Sequence, residues 1–145
     1  MFTKCVPAIA ILLLLTGCGT TSPRPVDIEA DDMCAYCKMA ISEKRYAAEA
    51  VYSDGSAYKF DNAACMARFV REHGLQSRIA AYYIADYRTR AWLDARRAIY
   101  AKSAEIPSPM ASGIAAFSDE AEAQRFAAAR RGQTIAFEAL WTPAQ

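Results

Sequence analysis

Histidine is nearly absent: His73 is the only one in 145 residues. A closed structural zinc site takes two cysteine pairs, or one pair with histidines, so this chain offers a thin zinc ligand set. Surplus charge is absent as well. The 17 lysines and arginines meet 16 aspartates and glutamates, and nothing in that balance suggests nucleic acid or an acidic membrane surface as a partner. A membrane-spanning apolar run is also lacking. The longest stretch, Val6–Leu15, has the length of a signal-peptide core and is too short to cross a bilayer.

That stretch lies in "MFTKCVPAIAILLLLTGC", residues 1–18, with Lys4 as its one charge. Its end, "LTGC", resembles the lipobox of bacterial lipoproteins: an aliphatic residue, two small residues, then cysteine. The resemblance implies that residues 1–17 are removed as a signal peptide and that Cys18 is lipidated. The chain is then expected to be anchored by lipid in the cell membrane, facing the periplasm; two or more acyl chains suffice for stable anchoring. Residues 18–31 read as the lipidated cysteine and a flexible tether, small, polar and proline-rich over Gly19–Ile28. Fully extended, the 14 residues Gly19–Asp32 reach about 50 Å; as a relaxed coil they span roughly 20 Å.

Of five cysteines, Cys5 leaves with the signal and Cys18 takes the lipid. Cys34, Cys37 and Cys65 remain. An odd number in an exported chain leaves at least one thiol unpaired. A free thiol in an oxidising compartment is at risk, so keeping one points to use.

The rest carries a weak repeat. "FDNAACMARFVREHG" (60–74) lies over "FSDEAEAQRFAAARR" (117–131) at an offset of 57, matching Phe60 with Phe117, Arg68 with Arg125 and Phe69 with Phe126. Each segment reads as a helix. Asp61 or Asn62 caps the first, whose apolar stripe is Cys65, Met66, Phe69 and Val70; Gly74 ends it. Asp119 with Glu122 three residues on resembles a capping box for the second. Strand-like runs flank both: 46–52 and 57–60 joined by "SDGS", a hairpin signal, then 79–87; and later 97–103, 113–117 and 134–141. Each half reads strand, strand, helix, strand. The expected fold is α+β, with two similar ββαβ units at 32–90 and 91–145 packed together because each has little core alone. At the same offset Met110 falls on Ser53, so "PSPMASG" reads as a proline-stiffened turn.

"DDMCAYCKMA" (31–40) gathers two cysteines and two methionines between Met33 and Met39. A disulfide within C-x-x-C closes too small a loop to stabilise much. A thioredoxin-like pair wants a strand before it and a helix opening at the first cysteine; here a tether precedes it, and "KMAISEKRYAAEA" alternates like an extended segment. An enzyme remains the alternative: a thiol oxidoreductase, or an organomercurial-lyase-like protein using the Cys34/Cys37 pair with Asp61 or Asp86 as proton donor. Cu(I) is the ion that thiolates and thioethers select. In an extended segment Cys37 and Met39 face the same way, and Met110 on its turn is a natural distant ligand. Met33 and Met66 read as core filler, Cys65 as a small buried hydrophobe, and His73 as a surface residue at a helix end.

"CAYCKMAI", "YKFDNAACM", "IADY" and "PMASGIAAF", in that order, are together similar to the NosL family, copper-binding lipoproteins of nitrous oxide reductase assembly. The resemblance runs from about Asp32 to Leu140. It implies a non-enzymatic Cu(I) chaperone of the periplasm with two ββαβ domains. Its expected partners are nitrous oxide reductase and a membrane-bound ABC-type assembly complex. Carried over by position, the metal ligands are Cys34, Cys37, Met39 and Met110. Two positions depart from the family pattern: Lys38 and Ala111 stand where the family commonly has glycine, a residue that tolerates unusual backbone angles.

Overall fold

The structure, a computed structural model, describes residues 23–142. The proposed signal peptide and Cys18 lie outside the described residues. Strand β1 (Ala48–Val51) turns through Asp54 and Gly55 into β2 (Ala57–Phe60). Helix α1 (Ala63–Glu72), β3 (Ala81–Ala85) and β4 (Trp92–Asp94) follow. These strands form one antiparallel sheet in the order β2-β1-β3-β4. A second sheet, in the order β6-β5-β7, holds β5 (Ile99–Lys102), β6 (Ile114–Phe117) and β7 (Gln133–Ile135), with helix α2 (Glu120–Ala128) between the last two. The repeated ββαβ pattern is therefore present. Its offset of 57 carries β2 onto β6 and the start of α1 onto the start of α2. β4 is an addition that hydrogen-bonds to β3, so the first sheet continues past residue 90.

The helix ends follow from their capping residues. Asn62 Oδ1 accepts the Cys65 N–H at 2.9 Å, and Asp119 Oδ1 accepts the Glu122 N–H at 2.7 Å. Glu122 does not complete a capping box; its carboxylate turns to Arg88, 3.4 Å away. α1 buries Cys65, Met66, Phe69 and Val70 as the spacing predicts, and stops at Gly74, whose φ of 61° suits a residue without a Cβ.

One apolar core spans both units. Phe60, Met66, Val70 and Tyr82 share it with Tyr100, Ile114, Phe137 and Leu140. Buried Asp86 stitches the halves. Its Oδ1 accepts the N–H groups of Arg88 and Thr89, and its Oδ2 accepts the N–H of Ser118 ahead of α2. Burial alone would raise its pKa, but these bonds hold the carboxyl below its usual range.

Four local expectations are corrected. The run 134–141 is a strand only to Ile135; Phe137–Trp141 is a 3-10 helix. Phe137, Leu140 and Trp141 recur at helical spacing, and Phe137 and Trp141 both meet the Tyr82 ring at 5.5 Å. The segment after the cysteines is not extended: Met33 bridges Ala40, and Lys44–Tyr46 forms a 3-10 turn before β1. Met33 is not core filler, being 54% exposed.

The tether reading also fails from Pro23 onward. That segment straps the first sheet: Tyr83 Oη donates to Pro23 O at 2.5 Å, the Val26 N–H to Glu49 Oε2 at 2.8 Å, and Lys59 Nζ to Asp27 O at 2.7 Å. Ile28 is buried in the core. With α1 packed against the sheet as well, every residue of β1 is buried, Glu49 included.

Candidate metal centre

The strap leads directly into the cysteine loop. Lys38 N–H donates to Cys34 O at 3.0 Å and Cys34 N–H to Met39 O at 2.8 Å, which closes a tight turn over the C-x-x-C. Lys38 takes φ 62° to do so. This is the left-handed region that glycine occupies without strain, and Lys38 is the residue that replaces the family's glycine. Ala35 N–H donates to Lys59 O at 2.8 Å, pinning the loop to β2, an edge strand.

Pinned there, the loop meets the start of α1. Cys37 Sγ donates to Asp61 Oδ2 at 3.3 Å. Cys34, Cys37, Asp61 and Cys65 each bring one ligand atom, and these atoms all lie within 4.8 Å of one another. Cys34, Asp61 and Cys65 are buried; Cys37 is half-buried. Cys34 and Cys37 were expected together. Asp61 and Cys65 join them; Cys65 is buried in the apolar core, as its place on the helix stripe predicts, and its sulfur also faces this group. The sequence signal was Cys65's place three residues after the Asn62 cap, which returns its side chain to the helix end beside Asp61.

The three thiols are not equivalent. The Cys65 thiol donates to Cys34, and the backbone N–H groups of Asp61, Cys37 and Tyr36 add to it, so the Cys34 pKa falls to about 6 against the effect of burial. Burial pushes Cys37 up to about 11, with Cys34 and Asp61 adding to the rise. Cys65 is raised too, first by its bond to Cys34 and then by burial. Cys34 is thus the most acidic of the three, and each thiol that binds metal first loses its proton.

The methionines of the sequence-predicted set are far more exposed than the four clustered donors. Met39 is 57% exposed and Met110 is 55% exposed. Met110 lies on the 3-10 turn Pro109–Ala111, as the repeat predicted. Met110 and Ala111 have φ 56° and 49°, so the second glycine replacement also sits at a left-handed position. Asn62 ties this turn to the thiols. Its Nδ2 donates to Pro109 O at 3.2 Å, to Cys65 Sγ at 3.4 Å and to Asp61 Oδ1 at 2.9 Å. His73 takes no part; its ring stacks on Phe69 and its Nδ1 lies 2.8 Å from Phe69 O.

Three soft sulfur donors and one carboxylate within reach of a single ion suit a thiophilic d10 cation. A thioredoxin-like active site needs its first cysteine at a helix start, and here that cysteine lies in a turn.

No curated protein matches the sequence. The crystal structure of the copper chaperone NosL from Shewanella denitrificans has the same fold, with a TM-score of 0.70 at 18% identity over 79% of this chain and 93% of that one. Residues 25–143 match the sequence profile of the NosL family, and the chain belongs to that family.

Proposed function

We propose that the protein is a Cu(I) chaperone, not an enzyme. It is held in the membrane by lipid at Cys18, faces the periplasm, and delivers copper for nitrous oxide reductase assembly beside an ABC-type membrane complex. The observation that carries the metal reading is the cluster itself: three cysteine sulfurs within 4.8 Å of one another, at the edge of a turn that holds an exposed methionine. Family membership and the copper chaperone named above support copper as the cargo.

The roles follow from exposure and charge. Met39 and Met110 meet the incoming ion at the surface. The Cys34 thiolate and Cys37 hold it, and Asp61, in contact with Cys37, is the nearest acceptor for the proton that copper displaces. Cu(I) accepts two or three soft ligands, which leaves room for a recipient's ligand to enter before the donor's leave. Because protons depart on binding, affinity rises with pH.

Titration with Cu(I) against a competing chelator, repeated with Zn(II), tests this. Tight Cu(I) binding that weakens sharply in Met110→Ala, with weaker Zn(II) binding, is the expected result. Absence of a Cu(I) preference removes the reading. One observation favours a second reading: Asp61 adds a hard oxygen to the sulfur set, and Zn(II) takes such mixed ligands. Turnover of a disulfide or an organomercurial by the same preparation would instead favour an enzyme.

A further inference from the structure

A cleft of about 440 Å³ opens beside the metal cluster, with Cys65 and Met110 in its wall. Ile114, Ile135 and Leu140 contribute apolar surface. Its charged lining has one sign: Arg68, Arg71 and Lys102 are all present, and no aspartate or glutamate lines it. Arg71 donates to Trp141 O at 3.1 Å. Arg68 and Lys102 are exposed and form no ion pair among the described residues.

The charges of the chain balance overall, so a lining of one sign is a local feature of this cleft. Lys59, Arg88 and Arg131, by contrast, each meet an acid: Asp32, Glu122 and Glu105. A cationic rim around an apolar floor fits a peptide that presents carboxylates on either side of an apolar contact. Its position gives it a use. A ligand seated here lies against the Met110 turn and the Cys65 wall, where copper has to leave.

We infer that this cleft docks an acidic segment of the protein that receives copper, and that Arg68 and Lys102 steer that segment to the Met110 side of the cluster. The docking stands on the cleft; only its coupling to transfer rests on the copper reading. Opposite charges speed encounter and suppress wrong partners. A loaded site flanked by free cations also repels a second cation until an acidic partner arrives.

The test uses the full chain in non-ionic detergent and three synthetic peptides. All share one Cys- and Met-containing Cu(I)-binding centre, flanked by glutamate, glutamine or lysine. Binding to the metal-free chain is read by fluorescence anisotropy, and Cu(I) transfer from the loaded chain by stopped-flow absorbance. The glutamate peptide is expected to bind and to accept copper about tenfold better than the glutamine peptide at low salt, with the gap closing at high salt. The lysine peptide should be worst. In Arg68→Glu/Lys102→Glu the order should invert while Cu(I) affinity stays unchanged, because neither side chain belongs to the cluster. Equal binding of the glutamate and glutamine peptides, or an order that survives charge reversal, overturns the proposal. Failure of the copper reading shows separately, as a chain that takes up no Cu(I), and the anisotropy series still decides the docking.

Discussion

Asn62 Nδ2 lies 3.2 Å from Pro109 O, a bond across 47 residues that fastens the Met110 turn to the helix end carrying Cys65. The same side chain caps α1 through its Oδ1. Serine keeps the cap and is too short for the strut, whereas alanine loses both. Asn62→Ala should therefore cost about 1 kcal/mol for the cap and about 1–3 kcal/mol more for buried groups left without partners. Asn62→Ser should recover the cap in thermal unfolding. It should still remove most of the Cu(I) affinity that Met110 contributes, so that Met110→Ala has little further effect in that background. Full additivity of the two substitutions would mean that Asn62 does not position the turn.

Ligand substitutions should separate by rank. Removing outer partners of a metal site typically costs 10–100-fold, so Asp61→Asn should weaken Cu(I) binding within about that range, and Cys37→Ser by more than about 100-fold. Chelator competition measures both. Near-native affinity in Cys37→Ser would take that residue out of the site.

Glu49 makes stability depend on pH. Its carboxyl is fully buried; Oε2 accepts the Val26 N–H and Oε1 has no partner among the described residues. Burial raises its pKa from the usual 4.5 to about 7. A raised carboxyl pKa favours the folded state most when the group is protonated. The contribution is complete below about pH 4.5 and is lost as pH rises through about 7, with a magnitude of about 3 kcal/mol at most. Glu49→Gln keeps the shape without the charge. In urea unfolding it should match the wild type near pH 4.5 and exceed it at pH 8. Parallel stability curves for the two proteins would rule out this role.

The strap gives a sharper test of where the folded part begins. Ile28→Ala should destabilise the fold by about 2–5 kcal/mol, as for a core residue. A neutral effect would restore the view of this stretch as a free tether.

Much of the fold could be read because its signals are local. The Asn62 and Asp119 caps and the Asp-Gly hairpin act within a few residues of themselves, and the repeat that aligns Phe60 with Phe117 sets one run of such local signals over another. The strap could not be read, because its partners Glu49, Lys59 and Tyr83 are distant in sequence and proline-rich composition says nothing about them. "TIAFEALW" misled because its alternation holds to Phe137 before a helical spacing takes over. At the centre, Cys34 and Cys37 announce themselves by their spacing. Asp61 and Cys65 do not; a 24-residue separation joins Asp61 to Cys37, and only the docking of the loop on β2 closes it.

X-ray absorption at the copper edge, on the Cu(I)-loaded chain and on Cys37→Ser, tests the central claim most directly. The account predicts a first shell of sulfur alone, two or three atoms, that loses one sulfur in the variant. A shell of nitrogen or oxygen, or one unchanged by the substitution, would contradict it.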